Sequence, residues 1–140
     1  MADISVTAAS VAKATGASTQ NATAGEAITA GQVVYSDATN SVKLAQADGT
    51  AAEAVAVGIA LNNAASGQPI TYVVSGGINP GGTVVVGKPY FVSGTAGGIA
   101  IINTATPIPA VGDYVTLLGI GTTSSNIALS IIVSGVEVPA

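Results

Sequence analysis

The side chains able to do chemistry in this chain are few. Seven carboxylates, Asp3, Glu26, Asp37, Asp48, Glu53, Asp113 and Glu137, stand with three lysines, Lys13, Lys43 and Lys88, and there is no histidine, cysteine or arginine. The commonest general base, the strongest nucleophile and the usual transition-metal ligands are therefore missing. A carboxylate pair would suffice for glycoside hydrolysis. Asp37, Asp48 and Asp113, however, sit in turn sequences, Glu26 and Glu53 precede strand-like runs, and Asp3 and Glu137 lie near the ends. Asp37-Ala38-Thr39-Asn40 with Asp48 offers oxygen ligands of the kind calcium takes. The alternating loop and bidentate glutamate of a calcium loop are absent, so an Asx-type turn is the simpler reading. Gly76-Gly77-Ile78-Asn79-Pro80-Gly81-Gly82 lacks the lysine and following helix of a phosphate cradle. The recurring aromatics Tyr35 and Tyr90 read as core or interface plugs rather than sugar-stacking platforms. The expectation is a protein that is not an enzyme and holds no metal or cofactor.

If reactive groups do not organise the chain, its pattern does. Ala30-Gly31-Gln32-Val33-Val34-Tyr35 returns as Val86-Gly87-Lys88-Pro89-Tyr90-Phe91. Ala54-Val55-Ala56-Val57-Gly58-Ile59 returns as Val115-Thr116-Leu117-Leu118-Gly119-Ile120, and Ile70-Thr71-Tyr72-Val73-Val74-Ser75-Gly76 as Leu129-Ser130-Ile131-Ile132-Val133-Ser134-Gly135. The offsets are 56, 61 and 59, so order and spacing survive while identities drift. A period of roughly 60 residues occurring twice is a duplicated β unit, not a solenoid of three or more repeats. The copies span about 26–79 and 80–138, within one β domain covering 26–140.

Val55, Val57, Ile59 and Leu61 alternate with smaller residues, a period of two that marks a strand. The β-branched run Ile70 to Ser75 marks its partner across a polar loop at 62–69. Tyr114 to Ile120, a loop at 122–126, and Ile127 to Ser134 repeat the arrangement. Shorter strands are expected at Gln32 to Tyr35, Val42 to Leu44, Thr83 to Val86, Pro89 to Val92 and Ile99 to Ile102. Between them lie turn sequences such as Asp48-Gly49, Gly76-Gly77, Asn79-Pro80-Gly81-Gly82, Pro107-Ile108-Pro109 and Gly112-Asp113. The fold class is thus all-β, a compact barrel or sandwich. Residues 1–25 have no counterpart between the copies and read as an extended N-terminal arm. Asp3-Ile4-Ser5-Val6-Thr7 alternates like a strand and is the candidate interface, ordering against the sheet edge of a neighbouring chain.

Composition points to an assembly. Charged residues make up 7% of the 140, against roughly 25% in ordinary soluble domains. Few charges are left to cover the surface or to keep copies apart. Three scattered lysines and a net charge of −4 exclude nucleic acid as a direct partner and disfavour an anionic membrane. No apolar run is long enough for a membrane helix, no secretory signal is evident, and a transmembrane barrel would want aromatic girdles. Without cysteine, the redox compartment stays open.

Thr23 to Asp37, the segment Gly58-Ile59-Ala60-Leu61-Asn62, the loop Gly67-Gln68-Pro69, the strand Tyr90-Phe91-Val92-Ser93 and the run Gly112 to Gly119 occur here in one order. That series resembles small phage capsid cement, or decoration, proteins over about residues 1–136. The resemblance implies a structural virion protein that binds the outer surface of the assembled head, contacts the major capsid protein and self-associates, often as a homotrimer. It carries over no catalytic residues and no shell-contacting positions. A phage tail or baseplate component would share the composition, and a host-glycan-binding module using loops 62–69 and 122–126 is the rival from another class.

Overall fold

A computed structural model describes residues 2–101 and 110–139. The expected Pro107-Ile108-Pro109 turn lies outside the described residues. Eleven strands form one continuous sheet: β1 (Ala2–Asp3), β2 (Ala12–Lys13), β3 (Ser18–Ala24), β4 (Val33–Ala38), β5 (Ser41–Leu44), β6 (Ala56–Ala60), β7 (Pro69–Asn79), β8 (Pro89–Val92), β9 (Ile99–Ile101), β10 (Tyr114–Gly121) and β11 (Ile127–Glu137). A single 3₁₀ turn, Ala8–Ser10, interrupts the arm.

The protein is all-β, with a closed five-stranded barrel and further strands outside the ring. The ring runs β3-β5-β4-β6-β7 and returns to β3. Closure removes the open edges a flat sheet would leave. The seam is the short parallel pairing of Thr23 with Ser41 and Ala24 with Val42, extended by Thr23 N–H to the Asn40 carbonyl at 2.7 Å. Each ring strand contributes an apolar residue to one buried cluster: Ala24, Val42, Val34, Ala60 and Ile70. These side chains fill the lumen.

The second half repeats the path of the first. β4 pairs with β5 and β6, and β6 with β7; β8 pairs with β9 and β10, and β10 with β11. Val34 and its counterpart Tyr90 are both fully buried. A larger cluster, including Val33, Ile59 and Val73 from the barrel's outer face and Tyr90, Leu118, Ile127 and Leu129 from the second half, welds the two together. Burying each such side chain stabilises by about 1.5–3 kcal/mol. β7 belongs to both halves, pairing with β3 and β6 along its first part and with β11 along its second.

Three expectations change. Ser18–Ala24, placed by its polar, small-residue composition in the arm, is a full barrel strand paired with β7 from Ser75 to Pro69, so the 1–25 boundary does not separate arm from body. Gly76-Gly77 does not end β7. Gly76 adopts φ +88° and the strand runs through it to Asn79, because a Cβ at Gly76 would overlap the backbone of Gly16 and Ala17 that crosses there. Thr83 to Val86 is not a strand; Val84 is buried and the Val85 N–H donates to the Tyr90 hydroxyl at 2.8 Å.

Candidate functional site: the arm and the apolar surface

The N-terminal arm lies along its own chain. Ala2 pairs with Ile101 and Asp3 with Ala100, and Ile4 N–H donates to the Ile99 carbonyl at 2.9 Å. Ile4 packs against the main core cluster. The Asp3 carboxylate accepts a hydrogen bond from Ser93 Oγ. Thr7 N–H donates to the Gly81 carbonyl at 2.8 Å, and Ala14 N–H to the Gly77 carbonyl at 2.8 Å. Ser5 and Thr7 carbonyls and the Val11 side chain stand where Cβ atoms at Gly81 and Gly82 would be, and Val6 fills the space beside Gly31. The glycines at 76–82 therefore serve close backbone approach by the arm, not phosphate binding. Asp3, Ile4 and Thr7 spend backbone groups inside this chain, while Asp3, Ser5, Val6 and Thr7 stay exposed and Ile4 is half-buried.

The carboxylates bond backbone amides or single polar side chains. Glu26 Oε2 accepts from Leu44 N–H at 3.1 Å, Glu53 Oε2 from Thr50 N–H at 2.6 Å, and Asp113 Oδ2 from Ala110 N–H at 3.2 Å. Asp48 Oδ1 accepts from Gln46 Nε2 at 2.9 Å. Asp37 sits 3.7 Å from Lys43 Nζ, a surface ion pair contributing about 0–1 kcal/mol. Among the described residues, no three acidic side chains converge as metal ligands.

The two tyrosines read as a recurring pair occupy different places. Tyr90 is buried with its hydroxyl satisfied; Tyr35 is partly buried at the barrel wall, its counterpart in the second copy being Phe91. Burial, and then the Glu53 carboxylate, push the Tyr35 phenol above its ordinary range, and burial does the same at Tyr72.

The loops at 62–69 and 122–126 use polar side chains to bond backbone amides of this chain. Asn62 Oδ1 accepts from Thr71 N–H at 2.8 Å, Asn63 Oδ1 from Ala30 N–H at 2.9 Å, and Gln68 Oε1 from Ala65 N–H at 2.9 Å. Thr123 Oγ1 caps the Ser125 and Asn126 amides at 3.2 and 3.0 Å.

Beside single exposed residues such as Val55 and Val111, apolar side chains reach solvent in two groups that sequence inspection passed over. Val85, Val86 and Ile120 flank the hydrogen bond from Gly87 N–H to the Gly121 carbonyl. Ile132, Val133 and Val136 stand on the outer part of β11. The unbroken run Ile131-Ile132-Val133, where one face of a strand should be polar, was the available signal. No family model matches the chain, and no curated protein matches it in sequence.

Proposed function

We propose that this is a structural virion protein that binds the outside of a phage head and stabilises the shell. The observation that carries the reading is exposed apolar surface on a closed, sparsely charged β scaffold: Val86 is 63% exposed and Ile120 48%. Patches of this kind mark protein contact surfaces. A cement must hold neighbouring shell subunits through apolar and backbone contacts while keeping its own shape, and the ring closure supplies the stiffness. The motif series in the sequence points the same way, and the carboxylates, engaged in turns, leave catalysis without a centre. Because the arm's backbone is engaged on its own sheet, contact with the major capsid protein is assigned to the apolar surface rather than to Asp3 through Thr7.

Quantitative mass spectrometry of purified virions of the encoding phage tests this. A copy number equal to that of the major capsid protein, or a simple fraction of it, is expected. A handful of copies would move the protein to the tail or baseplate, and absence from particles would overturn the reading.

A further inference from the structure

Only one aspartate or asparagine in this chain is followed by glycine. Asp3, Asp37 and Asp113 precede Ile4, Ala38 and Tyr114, and no asparagine stands before a glycine. Asp48 precedes Gly49, in the connection between β5 and β6. A glycine leaves its own peptide nitrogen unshielded by a side chain and its backbone free to turn. Ala47 to Gly49 form a bend, in which Asp48 is exposed and Gly49 half-buried. The Asp48 Oδ1 atom accepts from Gln46 Nε2 at 2.9 Å. Packing accounts for the glycine: a Cβ there would overlap Glu53 Oε2, the atom that accepts the Thr50 N–H at 2.6 Å.

Both sides of this step are anchored. Ala47 is fully buried; it donates its N–H to the Ser93 carbonyl and accepts the Tyr114 N–H, each at 2.8 Å. It therefore ties the connection to the second half of the molecule. On the other side Thr50 and Glu53 cap each other, the Glu53 N–H donating to Thr50 Oγ1 at 3.4 Å. Gln46 N–H closes the loop on the Glu53 carbonyl at 3.1 Å. The backbone between these anchors has a set length.

We propose that Asp48–Gly49 is a self-modification site, where the chain isomerises through a succinimide to isoaspartate and loosens the tie between its halves. The Gly49 nitrogen bonds to Asp48 Cγ while a C–O bond of the carboxyl group breaks. That oxygen leaves as water, with the amide proton and one from the carboxyl group or solvent. Water then adds to one carbonyl carbon of the ring and breaks its bond to nitrogen, which regains a proton. Opening at the α-carbonyl leaves the chain running through Cβ and Cγ. Water is the sole co-reactant, and nothing is oxidised or reduced. Mass and charge are unchanged, but the backbone gains a methylene and the carboxyl group that met Gln46 becomes main chain. The slack falls beside Ala47. The proposal goes beyond the shell-binding reading and does not rest on it.

The test holds the purified full chain at neutral pH for weeks. Isoaspartate is counted by enzymatic methylation with a protein-isoaspartate methyltransferase and located by fragment-ion mapping. It should accumulate at residue 48 roughly tenfold faster than at Asp3, Asp37 or Asp113, and within about tenfold of its rate in a free peptide of residues 45–52. Asp48→Glu, which would need a larger ring that closes slowly, should abolish it. In the modified protein the Ala47 and Tyr114 amides should exchange hydrogen roughly tenfold faster, while Asp48→Glu held for the same time should show no change. Suppression of roughly a hundredfold or more relative to the peptide would mean that the fold holds nitrogen and carboxyl group apart, and would overturn the site. So would earlier isoaspartate at another residue. Unchanged exchange at Ala47 and Tyr114 in the modified protein would overturn the loosening.

Discussion

Ser93 Oγ donates a hydrogen bond to the carboxylate of Asp3, 90 residues away, while accepting the Thr95 N–H at 2.9 Å. Ser93 is almost fully buried and Asp3 exposed, so this bond pins the start of the arm to the turn after β8. Ser93→Ala should cost about 1 kcal/mol and speed hydrogen exchange at the Ile4 amide more than at amides of the barrel. Chemical denaturation and exchange measured on the same sample check both; equal acceleration throughout the chain would contradict the local role.

Gly76 and Gly135 both hold positive φ, +88° and +66°, but among the described residues only Gly76 is pressed, by the connection between β2 and β3. Gly135→Ala should cost about 1 kcal/mol for the backbone conformation alone. Gly76→Ala must also displace the Gly16 carbonyl, adding roughly 1–3 kcal/mol of overpacking. Paired thermal melts give the difference directly.

Thr116 Oγ1 donates to the Ala54 carbonyl at 2.5 Å, both residues being about 1% exposed. This bond ties β10 of the second half to the approach to β6 in the first. Thr116→Val keeps the shape and removes one of the two donors to this carbonyl, the Ala56 N–H remaining at 3.0 Å, for a loss of about 0.5–1.5 kcal/mol. Thr116→Ser should recover most of the hydrogen-bond contribution, which a purely packing role for Thr116 would not allow.

Tyr35 and Tyr72 are harder to ionise folded than unfolded, Tyr35 through burial and then Glu53, Tyr72 through burial. The folded state therefore keeps its phenolic protons to higher pH than the unfolded chain, whose tyrosines titrate near pH ~10. Their contribution is fully present below that value and is lost as pH rises through the raised folded pKa. Denaturation midpoints measured on either side of pH ~10 should fall on the alkaline side, and Tyr35→Phe with Tyr72→Phe should flatten the decline.

Strand signals survived in the sequence where a residue faces one environment. Although in the fold a bulge in β6 sends Val57 and Ile59 to different buried clusters, the pair announced a strand by a period of two, and Ile70 to Ser75 by β-branched richness. β3 did not, since Ser18-Thr19-Gln20-Asn21 is largely exposed and its place in the ring depends on β7 and β5, more than fifteen residues away in sequence. Ring closure itself was not legible: two paired residues at the seam leave no periodic trace. Asp113 was legible as a turn builder because its carboxylate accepts the nearby Ala110 amide, whereas Asp48 and Asp37, also read in turns, meet the Gln46 and Lys43 side chains. The arm's strand character was legible only at its start: Asp3 closes the two-residue β1 and Ile4 to Thr7 lie outside any strand, and alternation does not say whose edge receives the segment.

β7 is common property of the two repeats. Neither copy can melt without dissolving one wall of the other, so the 60-residue units have lost whatever independence they had as separate folds. A pull applied to the second half reaches the barrel partly as shear across the four residue pairs that join β11 to β7, beside the Thr116–Ala54 bond and the shared cluster. The duplicated chain thereby yields as a single mechanical element.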